Sequence, residues 1–203
     1  FVPVDSEHFS IWSLLQNYKS SDIDKIFITA SGGPFLRLPK KQFSNISVKK
    51  ALTHPNWKMG KKITIDSSTL MNKVFEVIEA KKIFNLNLNK IDILINPNSY
   101  LHAIVIFKNG TIKMLAHESD MSIPIFNSIY DNYNLVSYGT KNLDLNKINN
   151  LNLSKPNIKK FNSLKVLKKI PKKDSLFETI LISVNDELVN MFLNNEIIYK
   201  NIS

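Results

Sequence analysis

Apolar residues recur at Leu70, Val74, Val77 and Ile78, a spacing that lines one side of an α-helix. The pattern predicts a helix from Thr69 onward. Its opposite side carries Asn72, Lys73 and Glu76, three and four residues apart, so an amide, an ammonium and a carboxylate share one face. Asp66, Ser67, Ser68 and Thr69 stand just before this helix as natural N-cap residues, and free N–H groups at a helix start attract anions. The preceding run KKITI is β-prone and reads as a short extended segment.

Elsewhere the pattern alternates between the two periods. A helix is expected from about Glu7, with Phe9, Ile11, Trp12, Leu14 and Leu15 apolar, and KIFITAS reads as a strand ending at SGGP. Ser47 to Leu52 suits a short helix. KIDILINP, LHAIVIF and TIKMLAH read as three further strands, and Asn109-Gly110 between the last two predicts a hairpin. Met121 to Tyr130 suits a helix with Pro124 in its first turn. Residues 131–165 show little periodicity and suit a connecting arm. From about Ser175 an amphipathic helix is expected, with Ile180, Leu181, Val184, Leu188, Met191 and Phe192 apolar. Strands mixed with helices, without regular βαβ alternation, predict an α+β fold with a mixed sheet. The expected organisation is a domain over 1–130, the arm over 131–165 and part of a helical domain over 166–203.

Composition narrows the classes. With 203 residues, 43% of them hydrophobic, the chain can bury one or two small cores. No apolar run approaches the about 18 residues of a membrane span. The absence of cysteine excludes disulfides, thiolate metal sites and a cysteine nucleophile. A formal charge of +10 invites a nucleic-acid reading, but the stretch from Lys155 to Lys173 has eight lysines and no arginine. Lysine alone lacks the planar fork that reads phosphates and base edges. The first residue is Phe1 rather than an initiator methionine, so the chain is expected to be a fragment or a processed product.

The candidate chemistry lies in three places. Asp5 and Glu7 are two apart, so in an extended segment their side chains point the same way. Converging carboxylates, joined by a third from a distant helix, suit a hard cation that takes oxygen ligands. Asp5 alone reads as an N-cap. The pair Gly32-Gly33 permits a close backbone approach or a turn with positive φ. There is no GxGxxG and no Walker sequence, so no pyrophosphate grip is encoded. His54 sits beside proline in a loop, where Trp57 offers apolar cover and Met59-Gly60 a flexible point. Taken singly, Ser67 reads as a cap and Lys73–Glu76 as a solvated ion pair. Taken together, these residues suggest a phosphate pocket beside a metal or a proton acceptor.

The motifs PVDSEH, SGGPF and HPNWKMGKKITIDSSTLMNK, in that order, closely resemble the 1-deoxy-D-xylulose 5-phosphate reductoisomerase family. The resemblance implies an NADPH-dependent oxidoreductase and isomerase of the non-mevalonate isoprenoid route. It converts 1-deoxy-D-xylulose 5-phosphate to 2-C-methyl-D-erythritol 4-phosphate with Mg²⁺ or Mn²⁺. By position, Asp5, Glu7 and Glu76 match the metal ligands. Ser6, Ser31, His54, Ser67, Asn72 and Lys73, together with Glu7 and Glu76, match substrate-binding positions. Glu7, His54 and Lys73 match the catalytic set, Trp57 the flap, and Met59 and Gly60 the nucleotide contact.

The resemblance also implies a homodimer and a bacterial cytoplasmic or plastid-type location, while hydropathy speaks against a membrane span and the lysine-only basic tail against nucleic acid as the main partner. Departures from the family are Val74 in place of the glycine of NKGLE, Asn96 in place of histidine, and SDM in place of PDM. Asn185 and Glu187 match a late family motif only loosely and are not carried over as functional. Family members carry a nucleotide-binding domain before PVDSEH, so the 203 residues are expected to be inactive without it. Two rivals follow: a non-catalytic remnant that binds metal and sugar phosphate, and a lysine-rich nucleic-acid module.

Overall fold

A computed structural model of the chain describes residues 2–54, 57, 59–130, 139, 142–173 and 175–202. It forms two compact units, each discontinuous in sequence: 1–31 with 79–155, and 32–78 with 156–203. The blocks expected from the sequence are continuous (1–130, 131–165, 166–203), and part of the arm, 131–138 with 140 and 141, lies outside the described residues.

The first unit is built on a four-stranded mixed sheet in the order β2-β1-β3-β4. Its strands are β1 (Ile23–Ala30), β2 (Ile91–Ile95), β3 (Leu101–Phe107) and β4 (Ile112–Ala116). β1 pairs parallel with β2 and antiparallel with β3, and β3 pairs antiparallel with β4. All four expected strands form, and the α+β class holds. Their residues are rich in Ile, which suits a pleated, buried surface. Ile23, Ile26 and Ile28 of β1 and Ala103 and Val105 of β3 are fully buried at the centre of the sheet. The β3–β4 hairpin turns at Gly110 (φ +86°), while Asn109 Oδ1 accepts from the Thr111 N–H and hydroxyl. Helix α1 (Ser6–Leu14) packs on β3 and β4, burying Phe9 and Ile11. The outer edge of β2 is covered by Ser154, which exchanges two backbone hydrogen bonds with Ile95.

The second unit gathers α2 (Val48–Ala51), α3 (Lys61–Thr69), the start of α4 (Met71–Ile83) and a long helix near the chain's end. Its core is aromatic. Tyr199 is fully buried, with Phe35, Phe43 and Phe192 edge-on at centroid distances of 5.1, 5.6 and 5.7 Å. Each such edge-to-face pair contributes about 1 kcal/mol beyond its buried area. The remaining helices are α5 (Ser122–Ile129) and α6 (Leu145–Asn149) in the first unit, and α7 (Phe177–Leu193) in the second.

Three expectations are corrected. The β-prone run KKITI folds as the start of α3, not as an extended segment. Lys62 pairs with Asp66 one turn on, the Thr64 hydroxyl bonds the Gly60 carbonyl, and Ile65 is fully buried, so packing overrides the local preference of Ile and Thr. Asp66 to Thr69 therefore form the last turn of α3 rather than a helix start. Leu70, in the left-handed region at φ +62°, separates that turn from α4. In α7 the buried side follows the expected apolar stripe only in part. Phe192 is buried and Leu181, Leu188 and Met191 are half-buried, but Ile180 and Val184 are exposed, and Glu178, Asn185 and Val189 are buried instead, Asn185 and Asp186 finding polar partners on α3.

Candidate active site

In the first unit, the site residues sit where α1 begins. Asp5 is its N-cap: Oδ1 accepts from the Glu7 and His8 N–H groups, both at 3.1 Å. The plain capping role and a ligand role are compatible in Asp5, whose cap engages Oδ1. Glu7 is the second residue of the helix, so the extended geometry expected for the pair is replaced by a cap followed by a first turn. The Ser6 hydroxyl donates to the Glu7 carboxylate, and Ser6 is itself buried. His8, buried beneath, lies 3.1 Å from Asp5 Oδ1 and 3.8 Å from Glu79 Oε2. Ser31 follows the last residue of β1, half-buried.

One feature of this unit escaped the sequence. His102 and His117 stack with ring centroids 3.8 Å apart and planes 16° from parallel. His117 Nδ1 lies 2.7 Å from the Glu118 carbonyl, which fixes its hydrogen there, and His102 Nε2 reaches the His117 carbonyl at 3.2 Å. Burial holds the His117 ring below the usual histidine range, against the opposing pull of its bond to the Glu118 carbonyl and the charges of Glu7, Asp120 and Glu118. The signal that could have found the pair was the Asn-Gly hairpin, since it brings the start of β3 opposite the end of β4.

In the second unit, the polar face of α4 forms as its spacing predicted, but it is not solvated. Lys73 Nζ lies 2.7 Å from Glu76 Oε2, with side chains only 7% and 4% exposed. Asn72 Nδ2 donates to Glu76 Oε1 from one turn earlier. The opposite side of the helix, with Val74, Val77 and Ile78, is buried as expected, as is Leu70 just before the helix. Val74, the departure from glycine, is completely buried and fits.

Ser67 projects from the last turn of α3 toward His54, whose Nε2 is 3.1 Å from Ser67 Oγ. Trp57 donates its backbone N–H to His54 Nδ1 at 2.9 Å. Nδ1 is thus the acceptor, and Nε2 carries the hydrogen and donates to Ser67. Burial, and then the Lys73 ammonium, push the His54 ring down to about 4, so it is neutral at physiological pH. Gly33 takes the positive-φ turn that the glycine pair permits. Its backbone, at φ +65°, packs on the backbone of Ser67 and Ser68, where an added Cβ would lie 2.8 Å from the Ser67 carbonyl oxygen. Met59 is half-buried and Gly60 is the exposed N-cap of α3. Trp57, expected in the flap, is half-buried, and Pro55, Asn56 and Lys58 beside it lie outside the described residues.

Comparison with known proteins covers nearly the whole chain. Residues 1–84 match a family described as the 1-deoxy-D-xylulose 5-phosphate reductoisomerase C-terminal domain, and residues 117–203 match the DXP reductoisomerase C-terminal domain. The chain is 62% identical over 203 residues to the 1-deoxy-D-xylulose 5-phosphate reductoisomerase of Pelagibacter ubique, covering all of this chain (100%) and 52% of the relative. It is 42% identical over 209 residues to that of Sulfurihydrogenibium, covering 99% and 53%. Among solved structures, it is similar to a DOX-P reductoisomerase in complex with NADPH, fosmidomycin and magnesium, with a TM-score of 0.88 at 35% identity, covering 99% of this chain and 52% of the other. The Zymomonas mobilis enzyme in complex with NADPH gives 0.88 at 30% identity, covering 98% and 51%. The chain spans about half the length of the relatives it matches.

Proposed function

The chain belongs to the 1-deoxy-D-xylulose 5-phosphate reductoisomerase family, and from that premise we propose that it supplies the metal- and substrate-binding part of such an enzyme. The reaction rearranges the carbon skeleton of 1-deoxy-D-xylulose 5-phosphate to a branched aldehyde, which NADPH then reduces to 2-C-methyl-D-erythritol 4-phosphate. The observation that carries this reading is the buried Lys73–Glu76 pair with Asn72 on one face of α4. A buried ion pair is weak as a source of stability. Its presence in this motif instead supports a site for charged ligands.

The residues divide the work. Ser67 accepts from His54, which leaves its own hydrogen to donate to a phosphate oxygen. Lys73 and Asn72 add a cation and an amide donor to the same anion, and Ser31 a further hydroxyl by resemblance. Binding the phosphate, remote from the reacting carbons, holds the substrate for the step elsewhere. By resemblance, Asp5, Glu7 and Glu76 would hold Mg²⁺ or Mn²⁺, hard cations that take carboxylate oxygens, and the bound ion would polarise the substrate's ketone and hydroxyl oxygens. Trp57 covers the substrate and excludes water. For the nucleotide, only Met59 and Gly60 are offered by resemblance, and the 203 residues contain no phosphate-cradling glycine motif. The grip on the NADPH pyrophosphate thus belongs to residues outside this stretch. Homodimerisation is part of the same proposal; the edge strand β4, with Ile112 and Met114 exposed, supports it.

The test is NADPH consumption by the full-length protein. It should require both 1-deoxy-D-xylulose 5-phosphate and a divalent cation, and Lys73→Met should abolish it. Unchanged turnover in Lys73→Met, or turnover without the sugar phosphate, would overturn the assignment.

A further inference from the structure

Four consecutive residues end α3, and the three around Ser67 are each held by a different residue from the last third of the chain. Asp66 is buried and accepts from Asn185 Nδ2 at 2.8 Å, with Lys62 Nζ on its other oxygen at 2.8 Å. Lys62 also reaches Asp186 at 2.9 Å, so α7 grips this position twice. The Ser68 hydroxyl gives its hydrogen to the Ile65 carbonyl at 2.7 Å. The contact of 3.0 Å between Ser68 Oγ and Tyr199 Oη therefore has Tyr199 as donor. Burial pushes the Tyr199 phenol up, which keeps it protonated for that task. The Thr69 carbonyl accepts from the Ser163 hydroxyl. From another side, Gly33 presses on the Ser67 and Ser68 backbone with no room for a Cβ.

The Thr69 hydroxyl turns back to the Asp66 carbonyl, and the Ser67 side chain points toward His54. The backbone around it is fixed by partners whose polar atoms are spent on that purpose. A helix C-terminus is where fraying starts, and a donor that must meet an anion within a few tenths of an ångström cannot sit on a fraying turn.

We propose that Asn185 and Tyr199 are positioning residues for the Ser67 hydroxyl, so that the C-terminal segment sets the affinity of the phosphate site without touching its ligand. The proposal rests on the reading of Ser67 as a phosphate donor. It assigns a role to Asn185, which its loose match to the family motif does not.

The experiment is steady-state kinetics of the full-length protein, with Ser67→Ala, Tyr199→Phe, Asn185→Leu and the doubles with Ser67→Ala. Tyr199→Phe keeps the ring among its aromatic neighbours and removes only the hydroxyl. It should raise KM for 1-deoxy-D-xylulose 5-phosphate about fivefold, the value of one hydrogen bond, with kcat changed less than about twofold and the melting temperature near wild type. On the Ser67→Ala background it should raise KM no further. Asn185→Leu reaches the turn from α7 and should behave alike, which keeps the test open should one variant fold poorly. A KM unchanged in both variants, or raised by the same factor on the Ser67→Ala background, overturns the positioning role. A Ser67→Ala protein with wild-type KM overturns the phosphate reading itself, and the positioning role with it.

Discussion

His54 donates to Ser67 through Nε2 at 3.1 Å because its other ring nitrogen accepts the Trp57 N–H at 2.9 Å. The imidazole is neutral and its tautomer is set by backbone. It makes Ser67 a donor toward an incoming oxygen, a state an isolated serine would adopt only part of the time. The ring proton of His54, followed by NMR against pH, should titrate with a midpoint of about 4 rather than 6.5. The folded value lies below the unfolded one, so the unfolded chain binds the proton first. The contribution of His54 to stability is thus complete above pH 6.5 and lost as pH falls toward about 4. Lys73→Met should raise the midpoint only partly, since burial is the larger cause. A midpoint at the ordinary histidine value would contradict the neutral-donor assignment.

The buried Lys73–Glu76 pair makes an energetic prediction. Removing one partner leaves the other charge in a site that excludes water, so Lys73→Met or Glu76→Leu should each cost about 3 kcal/mol in metal-free urea unfolding. The double variant should cost far less than the sum, because neither charge remains. Additive losses would mean that the pair is solvated after all.

Gly33→Ala tests the packing on α3. The added methyl would meet the Ser67 carbonyl oxygen at 2.8 Å and the Ser68 Cα at 2.9 Å, both backbone, at φ +65°. The expected loss is about 3 kcal/mol, at the upper end for a strained position. Gly110→Ala, at φ +86° with no atom within 4 Å, should lose only the about 1 kcal/mol of the left-handed conformation. Equal losses in the two would show that the Gly33 contact is not formed.

Glu178 is 6% exposed, and neither carboxylate oxygen has a hydrogen-bond partner among the described residues. Replacing it with Leu should stabilise the chain by about 1 kcal/mol, read as a higher melting temperature. A lower one would reveal a partner for this carboxylate.

Much of this was legible in the sequence where a local signal and the packing agree. The four strands form where Ile-rich runs end at turn residues, and Asn109-Gly110 marks the hairpin because Gly110 takes the positive φ while the Asn109 side chain bonds Thr111. The polar face of α4 follows from spacing, but its burial does not: Lys73 and Glu76 read as surface until the fold covers them. Asp66 to Thr69 read as a helix start but end α3, since Ser, Thr and Asp bond backbone groups on either side of a break and their order carries no direction. α7 shows the same limit. Its apolar stripe overlaps the buried side at Phe192 but leaves Ile180 and Val184 exposed, because Asn185 faces inward to meet Asp66 across 119 positions of sequence. The stacked histidines depend on strand register, which no window on either strand contains.

The most direct measurement is a calorimetric titration of Mn²⁺ into the full-length protein, with and without 1-deoxy-D-xylulose 5-phosphate, comparing wild type with Asp5→Asn. Asparagine caps a helix as well as aspartate, so α1 and the melting temperature should be preserved while one ligand charge is removed. Mn²⁺ should bind, more tightly with the sugar phosphate present, and Asp5→Asn should weaken that binding by at least about tenfold. Mn²⁺ binding identical in the two proteins, or indifferent to the sugar phosphate, would contradict this reading.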